Sequence, residues 1–154
     1  MSVAFTKEES AETASETLLP DRPVSSHPNH VTAAGLRALE RQLQQAQEAY
    51  EAAQKIEDVN ERRRQGAVPL RDARYFAARV RTARVVPAPT SIAAVCFGST
   101  VTFSRAAGRV QKYRIVGEDE AISYVSPVAR ALMGKALGDI VETSGQEIEI
   151  IEIS

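Results

Sequence analysis

Residues 36–53 read LRALERQLQQAQEAYEAA. Within them Leu36, Leu39, Leu43, Ala46, Tyr50 and Ala53 recur at spacings of 3, 4, 3, 4 and 3. That is a heptad seam, the pattern by which one helix lies along another. Arg37, Glu40, Arg41, Gln44, Gln45 and Glu48 fall outside the seam and suit a solvated face. Thr32 stands at the N-cap position, so the first helix is expected from about residue 32 to the late fifties or low sixties. Gln65, Gly66, Ala67, Val68 and Pro69 then break the pattern, since glycine and proline both end helices. A second helix carries Ala73, Phe76, Val80 and Ala83 at spacings of 3, 4 and 3 and stops before Pro87 and Pro89. Two seams joined by a short break predict an antiparallel hairpin over residues 31–86, with a linker at 87–94. Pairing of the seams between two copies of the chain is the alternative; the intramolecular hairpin predicts a monomer.

Residues 95–154 change character. Val95, Phe97, Thr100, Val101 and Phe103 favour a strand, Ala106, Ala107 and Gly108 a turn, and Val110, Tyr113, Ile115 and Val116 the returning strand. Ser126 followed by Pro127 opens a short helix carrying Val128, Ala131 and Leu132, and Gly134 ends it. Ile140, Val141 and Glu142 form a short strand, Ser144 and Gly145 a turn, and residues 147–153 a final, half-exposed strand whose four isoleucines build the core. The fold class is α+β: an N-terminal antiparallel coiled-coil helical hairpin followed by a small antiparallel β domain with one short helix.

The chain has 154 residues with 19 Lys and Arg against 20 Asp and Glu, a formal net charge of −1. Such balance argues against a general binder of nucleic acid or anionic membrane, which needs a cationic surplus. The charge is nevertheless sorted, at −3 over residues 1–30, +4 over 31–86 and −2 over 87–154. A basic middle zone either faces something acidic or is a solvated helical face. Residues 1–30 are rich in Ser, Thr and Glu, carry Pro20, Pro23 and Pro28, and read as a disordered acidic tail. The first residues lack the basic and apolar regions of a signal peptide, and no apolar run approaches the ~18 residues of a membrane span. The expectation is a cytoplasmic protein without membrane contact.

Little here suggests an enzyme. Gly134 and Lys135 lack the surroundings of a phosphate loop. His27 and His30 both fall in the expected tail, leaving no histidine for acid–base chemistry in the folded zones and no metal-ligand spacing. Cys96, the only cysteine, sits in an apolar run and reads as a buried structural thiol. Glu118, Asp119 and Glu120 read as a solvated loop, with a partner contact or a metal site as alternatives. The protein is expected to have no catalytic residues, metal or cofactor of its own.

The C-terminal zone resembles the bacterial GreA/GreB transcription elongation factors. The motifs that carry this are Phe97-Gly98-Ser99-Thr100-Val101, Ile115-Val116-Gly117-Glu118-Asp119-Glu120-Ala121, and Ile122-Ser123-Tyr124-Val125-Ser126-Pro127-Val128-Ala129-Arg130-Ala131-Leu132-Met133-Gly134-Lys135, followed by Gly138-Asp139. With Val31, Thr32, Gly35 and Leu36 opening the first helix, the resemblance covers residues 31–154. It implies a coiled coil joined to an FKBP-like domain, with bacterial RNA polymerase as partner. The C-terminal domain would dock at the rim of the secondary channel through Ser126, Pro127, Val128, Arg130 and Met133. The hairpin would enter the channel, so that nascent RNA or DNA is met only within the transcription complex. In the family, two acidic residues at the hairpin tip help hold the polymerase's catalytic magnesium and activate water for transcript cleavage.

Two departures bear on that activity. If residues 66–75 align with the family's tip, the acidic positions fall on Ala67 and Arg71, which cannot ligate a cation. If instead the hairpin is shortened, its tip is rebuilt from about 56 to 69, with Glu57, Asp58 and Glu61 as the acidic candidates beside a basic patch of Arg62, Arg63 and Arg64. These carboxylates either replace the missing pair and act on the polymerase magnesium, or are helix-surface charges paired with the arginines. The other departure is that Ala121 runs directly into Ile122, where the family carries several further residues. The chain is therefore expected to modulate elongation and the rescue of arrested complexes by modifying polymerase activity. The alternative is a cleavage-inactive paralogue resembling the regulator of nucleoside diphosphate kinase. A prolyl isomerase on the FKBP-like fold is a third class, with only Phe97, Phe103, Tyr113 and Tyr124 to line a pocket.

Overall fold

The seam of residues 36–53 builds a helix, α1, spanning Ala33–Gln54. A four-residue turn over 55–58 leads to a second helix, α2, spanning Val59–Thr82. A computed structural model describes residues 19–120 and 122–154; residues 1–18 of the expected tail, and Ala121, lie outside the described residues. The hairpin has arms of 22 and 24 residues, about 33 and 36 Å long at 1.5 Å per residue. Leu39, Ala46 and Ala53 of the first seam are buried, and the off-seam polar residues are exposed.

One expectation fails here. The chain does not break at residues 65–69: α2 runs through Gly66 and Pro69 without interruption, and α1 ends earlier than expected. The reason is packing. Gly66, Pro69, Ala73, Phe76 and Val80 continue the 3,4 spacing of the second seam back toward the turn. Gly66 is buried, and a Cβ added there would stand 3.5 Å from Gln54 Nε2 and 3.6 Å from the Tyr50 ring. Burial against α1 outweighs the local preference of one glycine and one proline.

The chain divides into two compact units, one holding the described residues up to Ser26 with Ala38–Thr82, the other His27–Arg37 with Ala83–Ser154. In the second unit β1 (His30–Val31) pairs in parallel with β2 (Arg84–Val85). The expected disordered tail therefore does not extend to residue 30: Asn29 is buried, and its carbonyl accepts from Arg84 N at 2.8 Å. The main sheet is antiparallel, in the order β4–β3–β6–β5. Its strands are β3 (Thr100–Arg105), β4 (Arg109–Arg114), β5 (Ile140–Thr143) and β6 (Gln146–Ile153). A short helix, α3 (Pro127–Leu132), packs Ala129 and Leu132 into the core on the sheet.

That core joins Val101, Phe103, Ile115, Leu132, Ile148 and Ile150, each at most 1% exposed. Full burial of side chains this size stabilises by about 1.5–3 kcal/mol each. Three of the four C-terminal isoleucines belong to it, but Ile151 is 44% exposed. The register shift in the β3–β6 pairing between Thr102 and Phe103 explains the exception. Glu152 faces Thr102 and Ile150 faces Phe103, so Ile151 is the extra residue of a bulge and has no partner on β3.

The unbroken path of α2 makes a direct prediction. Gly66→Ala adds helix propensity and meets only ordinary van der Waals neighbours. Urea unfolding of the full chain should register a gain of about 0.5–1 kcal/mol; a loss would mean that the chain turns at Gly66.

Candidate functional site

The hairpin turn gathers the expected acidic and basic residues, and most are already committed. Asp58 precedes α2 and acts as its N-cap: its Oδ2 accepts from Glu61 N at 3.0 Å. Glu61 lies in the first turn of α2, where a carboxylate suits the helix dipole. It accepts from Gln65 Nε2 at 2.8 Å and lies 3.7 Å from Arg64. Arg62 turns back into the link, donating from Nε to the Ile56 carbonyl at 2.8 Å and from Nη2 to the Glu57 carbonyl at 3.1 Å. It braces the turn, so the exposed cations of the patch are Arg63 and Arg64. The Glu57 carboxylate is exposed and bonds to nothing among the described residues. Ala67 and Arg71 lie inside α2. No cluster of three or more His, Cys, Asp or Glu suited to a metal ion occurs among the described residues.

The five residues implicated in docking divide by role. Ser126 caps α3, its Oγ accepting from Ala129 N at 3.2 Å. Val128 and Met133 are half-buried against the core. Pro127, at the first helical position, and Arg130 are exposed. Beside Arg130 lies an open groove of about 450 Å³, lined also by Lys135, Ile140 and Glu142. Ile140 is 64% exposed and Leu137 63%. The groove thus brings two cations and the exposed carboxylate of Glu142 beside the exposed side chain of Ile140.

Three residues stand in surroundings that the sequence pattern does not predict. Glu120 is no solvated loop residue. Its Oε1 accepts from the Thr32 hydroxyl at 2.7 Å and its Oε2 from Gly117 N at 2.8 Å. Thr32 Oγ1 in turn accepts from Gly35 N at 2.9 Å, so the expected N-cap of α1 is itself held by the acidic motif. The spacing from the glycine to the third acid was the available signal. His30 is not a tail residue either: its ring lies 6.1 Å from that of Phe97 and 5.6 Å from that of Tyr124, and those two rings are 5.6 Å apart. The Tyr124 hydroxyl donates to the Pro28 carbonyl. Cys96 is half-buried rather than buried, its backbone N donating to Ser99 Oγ at 3.0 Å.

The aromatic residues weigh on the isomerase alternative. Phe103 is fully buried with Tyr113 against it at 5.2 Å, and Phe97 is buried in the cluster with His30. Both rings are used in packing. Among the described residues no helix is long and apolar enough to cross a membrane.

A helical hairpin followed by a four-stranded sheet with a capped Ser-Pro helix defines a class, and comparison with known proteins agrees with it. The family model "Transcription elongation factor, GreA/GreB, C-term" matches residues 90–154. A transcription elongation factor GreA of Methylobacterium nodulans is 35% identical over 152 residues, covering 80% of this chain and 95% of that protein. One from Pseudomonas aeruginosa is 34% identical over 151 residues with the same coverage. The GreA of Legionella pneumophila (strain Corby) is 54% identical over 70 residues, a stretch that spans 38% of this chain and 44% of that relative. The solved structure of Thermus thermophilus Gfh1, a GreA factor homologue, is 20% identical, with a TM-score of 0.36 over 83% of this chain and 99% of its own. The chain belongs to the GreA/GreB family.

Two sets of substitutions check these assignments. Asp58→Ala removes an N-cap and should cost about 1 kcal/mol in urea unfolding, whereas Glu57→Ala should stay within about 0.5 kcal/mol. Equal effects would remove the capping role. Glu120→Ala strands the Thr32 hydroxyl and the Gly117 N–H and should cost about 1–3 kcal/mol. Thr32→Ser, which keeps the hydroxyl, should retain most of the stability that Thr32→Ala loses.

Proposed function

We propose that the protein is a Gre-family transcription elongation factor that binds bacterial RNA polymerase, presents its hairpin to the secondary channel and modulates elongation. The observation that carries this reading is the 35% identity to a GreA across 95% of that protein's length, hairpin and sheet domain together. Pro127 and Arg130, exposed on a capped and core-anchored α3, are the docking contacts, with Lys135 and Ile140 beside them. Ser126, Val128 and Met133 hold that helix in place rather than meeting the partner. The role is that of a modifier of polymerase rather than of an enzyme. RNA and DNA are met only inside the transcription complex, and the working form is a monomer in the cytoplasm.

One specific observation favours the cleavage-inactive form of this reading. A pair of free tip carboxylates is needed to help hold the polymerase's magnesium. Here Asp58 caps α2, Glu61 is engaged by Gln65 and Arg64, and Glu57 alone is free of such ties. The protein therefore occupies the channel without supplying a second ligand.

The test uses purified, backtracked polymerase complexes with and without the protein, with crosslinking from the hairpin turn in parallel. The expected result is a crosslink within the channel and no rise in transcript cleavage. Pro127→Asn should weaken the crosslink and leave the unfolding midpoint nearly unchanged. Cleavage that rises, and is lost when Glu57, Asp58 and Glu61 are replaced, would restore an active tip. Absence of any crosslink would end the polymerase reading.

A further inference from the structure

Residues 19–26 lie outside the stretch that resembles the Gre factors, yet they are fastened to α2. The guanidinium carbon of Arg22 stands 3.8 Å from the centroid of the Tyr75 ring and 5.2 Å from that of Phe76. Its Nη1 donates to Asp72 Oδ1 at 3.4 Å, an oxygen that also accepts from Arg71 at 3.1 Å. One residue earlier, Asp21 pairs with Arg74 at 3.5 Å. Tyr75 and Phe76 meet edge to face at 5.2 Å, so the arginine rests on a prepared aromatic corner.

The kind of contact is as informative as its position. Leu19, Pro23 and Val24 are exposed, so the segment brings no large apolar side chain to the hairpin. The contacts of Asp21 and Arg22 are a stacked cation and two partly exposed ion pairs, interactions that water and salt weaken readily. The chain leaving the segment is anchored a few residues on, where Asn29 is buried and β1 pairs with β2. Once lifted, the segment stays tethered and recloses at high effective concentration.

We propose that residues 19–26 form an autoinhibitory strap, latched by Arg22 on the Asp72–Tyr75–Phe76 face of α2, that must lift before this face of the hairpin can meet a partner. The inference rests on the polymerase reading above. A surface that packs against α2 across Asp72 to Phe76 has to displace Arg22, so the apparent affinity is the intrinsic one multiplied by the fraction of open molecules. Raised salt, or a partner arginine that competes for the same ring and carboxylate, opens the strap.

The experiment measures binding of labelled full-length protein to core RNA polymerase by fluorescence anisotropy, comparing wild type with Arg22→Gln and Arg22→Lys. If nine molecules in ten are closed, Arg22→Gln should bind on the order of tenfold more tightly. Arg22→Lys, which keeps the charge and loses the planar stack, should fall between. The advantage of Arg22→Gln over wild type should shrink as salt is raised. Urea unfolding should change little. Equal affinities across the series at low salt would overturn the strap while leaving the polymerase reading intact. Weaker binding by Arg22→Gln together with earlier unfolding would make the segment a brace and overturn the proposal. No binding by any form, the opened one included, would overturn the polymerase reading and the inhibition with it.

Discussion

A single carboxylate sets the start of the long hairpin helix. Glu120 takes the hydroxyl of Thr32 with one oxygen and the amide of Gly117 with the other, at the mouth of α1 where the helix dipole favours negative charge. The space it occupies exists only because two side chains are missing. A Cβ on Gly35 would come within 2.5 Å of the carboxyl carbon, and one on Gly117 within 2.7 Å of the His30 carbonyl. The Val116–Ser123 bridge, with Tyr124 N bonding back to the Val116 carbonyl, then closes the loop that presents the carboxylate. Residues 28–35 are thereby bound into the same unit as the sheet, along with the β1–β2 pair and the ring cluster of His30, Phe97 and Tyr124. What sequence order places in the hairpin is partly, in physical terms, an outwork of the sheet domain.

Much of this fold could be read from periodicity. The first seam, the Ser126 cap, the Ser144–Gly145 turn and the closing strands all stand where alternation and turn chemistry put them. Sequence pattern and structure part where two local rules compete. Gly66 and Pro69 carry strong breaker signals, but both also sit on the 3,4 spacing that runs on to Val80, and burial against α1 decided the contest. Ile150 and Ile151 break an alternating strand, and a bulge absorbs the extra residue. Neither outcome is visible to a window that looks only a few residues each way.

Of the candidate site, the sequence makes legible which residue types gather, more than the bonds each one forms. Glu57, Asp58 and Glu61 do gather at the hairpin turn, and Pro127 and Arg130 do face solvent. Capping gives two of the candidates a structural role as well. Helix starts need acceptors, and the acceptors nearest to hand are the serine and acidic side chains that also look like binding residues. Asp58 and Ser126 each meet that need. Arg62 shows the same economy from the donor side, its guanidinium bonding the carbonyls of the turn. The strap of residues 19–26 leaves no local signature, because its contacts are with residues about fifty positions away.

The strand order of the sheet has a consequence for how the protein is made. β6 lies between β3 and β5, although it follows both in the chain. The hairpin of β3 and β4 can form early, but it lacks the neighbour that carries Ile148, Ile150 and Ile153 into its core. On the ribosome, the apolar face bearing Val101 and Phe103 therefore stays open to solvent, or to a chaperone, until residue 153 has emerged. The pairings between β3 and β6 join residues nearly fifty positions apart, which marks sheet closure as the slow step. The part of the hairpin next to its turn, where Gly66 meets Tyr50 and Gln54, needs only contacts of shorter sequence separation and can form before the sheet closes, whereas the start of α1 waits for Glu120.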